Sequence, residues 1–91
     1  MIEKVVLVQN ARGIHLRPSG LIAAALRDYA GKAWVIPADG SRETQITSSP
    51  LSIMGLSLRQ GDVVTLRLEG EGEAEKLAEL AELFSKKYDF T

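Results

Sequence analysis

The sequence predicts an α+β domain in which three helices cover one face of a single four-stranded sheet. Two observations carry this. β-branched runs alternate with stretches whose apolar residues recur at helical steps, in the order β-α-β-β-α-β-α. The chain is also one unit: 91 residues with 45% apolar content suit a single core, and no repeat, linker or low-complexity segment interrupts it.

Ile2 to Gln9 is rich in Val and Ile and ends at Asn10, which reads as a strand. From Pro18 the period changes. Leu21, Ile22, Ala25, Leu26 and Tyr29 recur at three- and four-residue steps and predict one face of a helix closed by Gly31. Ala33–Ala38 and Ser41–Thr47 flank Asp39-Gly40, a dipeptide suited to the positive backbone angles of a tight hairpin. Pro37, lacking an amide donor, belongs at a sheet edge or bulge. Ser and Pro ahead of a brief apolar run predict a short helix from about Leu51 to Leu58. Asp62–Leu68 alternates as a fourth strand. From Glu73 to about Lys87, Ala74, Leu77, Ala78, Ala81 and Phe84 form one stripe, with acids early and Lys86-Lys87 late as the helix dipole favours.

Eleven basic and twelve acidic side chains leave a formal charge of -1, and no segment gathers Lys and Arg densely enough for a nucleic-acid face. The absence of cysteine removes disulfide and thiolate chemistry and favours a reducing compartment. The apolar run near the amino terminus is too short for a signal-peptide core or a membrane span, so the expected location is the cytoplasm.

The stretch "NARGIHLRPSG", Asn10 to Gly20, holds the only histidine. His15 stands at the predicted helix entry, where unpaired main-chain amides and the aligned peptide dipoles favour an anion such as phosphate. Arg17 adds a guanidinium able to hold phosphate oxygens in pairs, and Pro18 suits the first turn. Gly13 and Gly20 would let other groups approach closely. A neutral imidazole is a competent nucleophile near pH 7, so it can take a phosphoryl group from one partner and surrender it to another. A hydrolase would need a group to position water, and a metal site would need further ligands; the sequence supports neither well. A plain structural reading stands beside this one: His15 as a cap or surface residue, Arg17 as a solvated charge, the glycines as turn punctuation.

"GIHLRPS" resembles the active-site signature of the HPr family, the histidine phosphocarriers of the bacterial phosphoenolpyruvate-dependent sugar phosphotransferase system. "SIMGL" resembles the family's second signature, the two occur in the family's order, and the likeness covers nearly the whole chain. The resemblance implies an open-faced β-sandwich of four antiparallel strands under three helices. It implies that His15 is phosphorylated on Nδ1 by enzyme I, itself charged from phosphoenolpyruvate, and passes the group to sugar-specific enzyme IIA components. It makes Arg17 the residue that steadies the phosphoryl group and Ser52 the serine that a dedicated kinase/phosphorylase modifies in many members. A phosphoserine there would place negative charge on a docking surface and weaken acceptance from enzyme I. Leu16, Leu51, Met54 and Leu56 are the candidates for that surface, with burial in the core the competing reading for Leu51, Met54 and Leu56. No metal or organic cofactor is implied, a transcriptional regulator is a further partner of some members, and whether such a carrier counts as an enzyme is partly convention.

Two departures stand out. Leu16 replaces the small residue often found between the histidine and the arginine. The segment ahead of Ser52 is several residues longer than usual around "TSSP", and the loop after "SIMGL" is shorter, so Ser48 and Ser49 compete with Ser52 as acceptors. The rival functions are a nitrogen-regulatory phosphotransferase carrier, which would keep His15, and a regulatory module acting through phosphoserine, whose members tend to lack the histidine.

Overall fold

The computed structural model describes residues 1–14, 16–40 and 42–88. Its elements run β1 (Ile2–Leu7), α1 (Leu16–Leu26), β2 (Lys32–Pro37), β3 (Thr44–Ile46), α2 (Pro50–Met54), β4 (Val63–Glu69) and α3 (Glu73–Ser85). The four strands form one sheet in the order β1-β4-β2-β3, every pair antiparallel. Because β4, the last strand in sequence, inserts between β1 and β2, the sheet closes only when nearly the whole chain is present.

Strand alternation assigns the two faces. Val6, Val8, Ala33, Val35, Ile46, Val64, Leu66 and Leu68 point into the core, where they meet Ile22, Leu26, Ile53, Leu77, Leu80 and Phe84 from the helices. The opposite face stays open. There Arg67 bridges Glu3 and Glu43 at 2.6 Å each, tying β1, β4 and the approach to β3 together, and Val5, Leu7 and Val63 are exposed.

The observed elements differ from the predicted ones where tertiary contacts override local pattern. α1 ends at Leu26, five residues before Gly31, because turns at Arg27 and Tyr29 reach back only three residues, to Ala24 and Leu26. Leu21 lies on the exposed side of α1, one turn beyond Arg17; Pro18, Ser19, Ala23, Ala25 and Leu26 share the buried side with Ile22. α2 is five residues long: it starts at Pro50, one residue earlier than the reading from Leu51 to Leu58, and ends at Met54, four residues earlier. On α3 the buried stripe runs through Leu77, Leu80, Ala81 and Phe84, leaving Ala74 and Ala78 exposed, and the helix stops before Lys86. Pro37 pairs with Val64 on one side only, since β3 reaches just Ala33–Val35, which suits a residue with no donor. The predicted strand start at Ser41 lies outside the described residues.

Candidate functional site

The chain leaves β1 into a loop that the rest of the molecule holds from behind. Asn10 is 2% exposed. Its Nδ2 donates to the Gly13 carbonyl at 2.9 Å, its Oδ1 accepts the Tyr88 amide at 2.8 Å, and the Gly13 amide returns to the Asn10 carbonyl at 2.8 Å. One side chain thus fixes the loop shape and ties it to the segment that follows α3.

A second anchor comes from the turn after α2. The last residues of α2 unwind through short-range bonds, Leu56 to Ile53 and Ser57 to Met54 at 3.1 Å each, into Ser57, the non-glycine residue with positive φ (53°) among those described. This left-handed step turns Leu58 toward the loop, where its carbonyl accepts the Ile14 amide at 3.1 Å. Gly13 (φ 69°) makes the approach possible: a Cβ there would lie 2.2 Å from the Leu58 carbonyl oxygen. The expectation that Gly13 permits close approach is met, and what approaches is the Leu58–Arg59 backbone. Gly20 has no such role, since a Cβ would meet nothing within 4 Å. The two loops are joined further by Val8 to Asp62 and Gly61 to Val8, both 2.8 Å.

His15 itself lies outside the described residues. α1 begins at the next residue, Leu16, with no acidic residue in its first turn and with Arg17 exposed. The amides at such a helix start precede the first intrahelical bond, and the dipole concentrates positive charge there; Arg17 adds to it where helix propensity would favour an acid. Pro18 and Ser19 are buried beneath. Of the expected docking residues, Leu16 (68%) and Leu51 (75%) are exposed, Met54 is half-buried, and Leu56 is half-buried against the core. Leu21, 42% exposed, joins them.

Ser52 is in the first turn of α2, not at its start; Ser49 holds the N-cap position and makes no side-chain cap bond. The Ser52 hydroxyl accepts the Thr47 amide at 3.0 Å and donates to the Ser49 carbonyl at 2.7 Å, bracketing the "TSS" segment against α2. The helix start thus lies ahead of Ser52, and the hydroxyl of Ser52 is engaged by the segment that leads into it.

Sequence reading passed over Asn10, Tyr88 and the Leu58 carbonyl. Asn10 carried one local signal, a short amide side chain at a strand end, which is a turn-former. Tyr88 and Leu58 carried none, since their partners lie dozens of residues away.

A family model described as the PTS HPr component phosphorylation site matches residues 2–86. The chain belongs to the HPr family. It is similar to the phosphocarrier protein HPr of Lysinibacillus sphaericus, 34% identical over 74 residues covering 81% of each chain. The HPr of Streptomyces coelicolor is 30% identical over 86 residues, 94% of this chain and 90% of that one. Among solved structures, HPr-C-His from Thermoanaerobacter tengcongensis superposes with a TM-score of 0.79 at 30% identity, over 92% of this chain and 91% of the other. HPr from Bacillus anthracis gives 0.79 at 25% identity, over 92% and 96%. The four-stranded antiparallel sheet with three helices is the HPr fold, and the function is that of an HPr phosphocarrier of the phosphotransferase system. No described helix is long and apolar enough to cross a membrane.

Proposed function

We propose that His15 is the phosphoryl acceptor and donor of this carrier, with Arg17 and the first-turn amides of α1 as its phosphate cradle. The observation that carries this reading is that α1 opens directly after the only histidine, within the family's phosphorylation-site match, on a first turn free of carboxylates. A neutral imidazole nitrogen forms the bond to phosphorus as the bond to the donor breaks; the guanidinium and the helix start stabilise the charge on the transferred group. The reverse sequence delivers the group to the acceptor. Because the histidine sits between two partners, it needs only moderate activation in either direction.

The partners in this reading are enzyme I as donor and enzyme IIA components as acceptors, in the cytoplasm, with the exposed Leu16, Leu21 and Leu51 as the contact surface, Met54 at its border and Leu56 as its underlying support. A serine kinase/phosphorylase acting at Ser52, and a regulator reading the product, would have to displace the hydroxyl from Thr47 and Ser49. The exposed Ser48 and Ser49 are the less costly acceptors.

Incubation with phosphoenolpyruvate and enzyme I is expected to give one acid-labile, alkali-stable phosphate in the wild type and none in His15→Ala. Label retained by the alanine variant moves the site elsewhere. Incubation with ATP and the serine kinase, followed by mapping of the acid-stable product, assigns the serine.

A further inference from the structure

One peptide group in the loop ahead of α1 is held at both ends. The carbonyl of the Gly13–Ile14 peptide accepts Asn10 Nδ2 at 2.9 Å, and its amide donates to the Leu58 carbonyl at 3.1 Å. Asn10, Gly13 and Ile14 are all buried, so this planar unit cannot tilt without stranding a polar group away from water. It lies one residue ahead of His15 and sets the direction in which the chain leaves Ile14 for the histidine and the first turn of α1.

Which end of the Asn10 carboxamide faces that peptide is decided at the other end of the chain. The Tyr88 amide can only donate and the Gly13 carbonyl can only accept, so the Tyr88 bond to Oδ1 at 2.8 Å leaves Nδ2 for Gly13. The reversed carboxamide would set donor against donor and acceptor against acceptor. Tyr88 is itself held. α3 stops at Ser85, Lys86 is extended (φ -73°, ψ 145°), and the Tyr88 ring is buried with its hydroxyl donating to the Leu83 carbonyl, five residues earlier, at 2.7 Å. A continuous series of contacts therefore runs from the last turn of α3 through Tyr88 and Asn10 to the peptide that precedes the histidine.

We propose that Asn10 and Tyr88 are positioning residues for phosphoryl transfer: the Tyr88 main-chain amide orients the Asn10 carboxamide, which fixes the Gly13–Ile14 peptide and through it the approach of His15 to the transferred group. The proposal rests on the reading of His15 as acceptor, and neither positioning residue touches the phosphoryl group. Docking is left to the exposed Leu16, Leu21 and Leu51, whose side chains enter none of these bonds. A small misplacement of a nucleophile weighs on the chemical step far more than on binding, so the effect belongs in kcat.

The test is steady-state transfer from phosphorylated enzyme I to variants shown by circular dichroism to be folded at the assay temperature. Asn10→Asp keeps the shape and the acceptor for Tyr88 but turns an oxygen toward the Gly13 carbonyl; kcat is expected to fall about ten-fold with KM within about two-fold of wild type. Tyr88→Ala removes the ring and keeps the main-chain donor, whereas Tyr88→Pro removes both, so kcat of the proline variant should be about five-fold below that of the alanine variant. This pair decides the matter even if Asn10→Asp does not fold. Leu68→Val is the destabilised control: it thins the core where β4 pairs with Ile2 and Ala33, at the end of the strand away from the loop, and should keep the wild-type kcat. An unchanged kcat in Asn10→Asp, equal kcat in the two Tyr88 variants, an effect confined to KM, or an equal loss in Leu68→Val overturns the positioning role while His15 stays labelled in the wild type. A wild type labelled at another residue overturns the acceptor assignment and the positioning role with it.

Discussion

At its C-terminal end α1 is closed by the chain's own charge: Lys76 of α3 donates to the Ala25 carbonyl at 2.6 Å and to Asp28 and Glu79 at 2.8 Å each. A cation at the negative end of a helix is where the dipole favours it. At the N-terminal end the arrangement is reversed. No acid occupies the first turn, Arg17 is placed where a cation is disfavoured, and Leu16 and Leu21 face solvent. Support comes from behind, through Asn10, Gly13 and the Leu58 carbonyl. One end of the helix is finished by folding; the other is held at the back and presents exposed side chains at the front, as the phosphate site proposed there would require.

The comparison breaks most readily at the back of the open end. Gly13→Ala would drive a Cβ to 2.2 Å from the Leu58 carbonyl oxygen in a left-handed backbone conformation. Overpacking and strain together are expected to cost about 3 kcal/mol, a fall in Tm of roughly 15 °C for a domain of this size, read by thermal unfolding. Asn10→Ala comes next. It strands the Gly13 carbonyl and the buried Tyr88 amide, for an expected loss of about 2 kcal/mol in denaturant unfolding. Because both residues hold one loop, the double variant should lose less than the sum of the two.

The same contrast explains what was legible in the sequence. β1, α1, β2, β4 and α3 follow from periodicity, because each buries a face whose apolar spacing is its own local record. The chemistry proposed for the open end is equally local: His15, Arg17 and Pro18 are neighbours in sequence, and a phosphate cradle needs only a helix start beside them. The back of the site was not legible. Gly13 announces a close approach but not by whom, and Leu58 arrives from a turn whose left-handed Ser57 has no glycine to mark it. α2 shrank to five residues for the same reason, since the chain must leave the helix early to bring Leu58 to Ile14. Leu21, on the expected stripe of α1, is exposed, and Leu80, outside the expected stripe of α3, is buried, as a helical stripe fixes a face to within about one residue and packing decides the rest.

Smaller effects sharpen the closed end. Lys76→Met keeps most of the stem that packs against α1 but removes the donor from the Ala25 carbonyl. Since Asp28 and Glu79 are themselves in solvent, screening limits the ion-pair contribution, and the expected loss is about 1 kcal/mol by denaturant unfolding. Phosphoryl acceptance at the other end of α1 should be unchanged, which separates stability from function along one helix.

The smallest effect expected is a dependence on pH at Asp28. The hydrogen bond from Lys76, and then its charge, hold the Asp28 carboxyl below its ordinary value. A carboxyl depressed by folding stabilises the native state at any pH above its unfolded value, about 3.9, and that contribution fades as pH falls through the lower folded value. Wild type should therefore exceed Asp28→Asn in Tm near neutral pH, with the difference closing only below about pH 4. Lys76 gives the mirror case: the same hydrogen bond to Asp28, and then that to Glu79, raise its ammonium, so its contribution persists at neutral pH and is lost only as alkali passes the raised value. A Tm difference that vanished near pH 7 would mean that the C-terminal end of α1 is closed by the Ala25 carbonyl alone, with the carboxylates as bystanders.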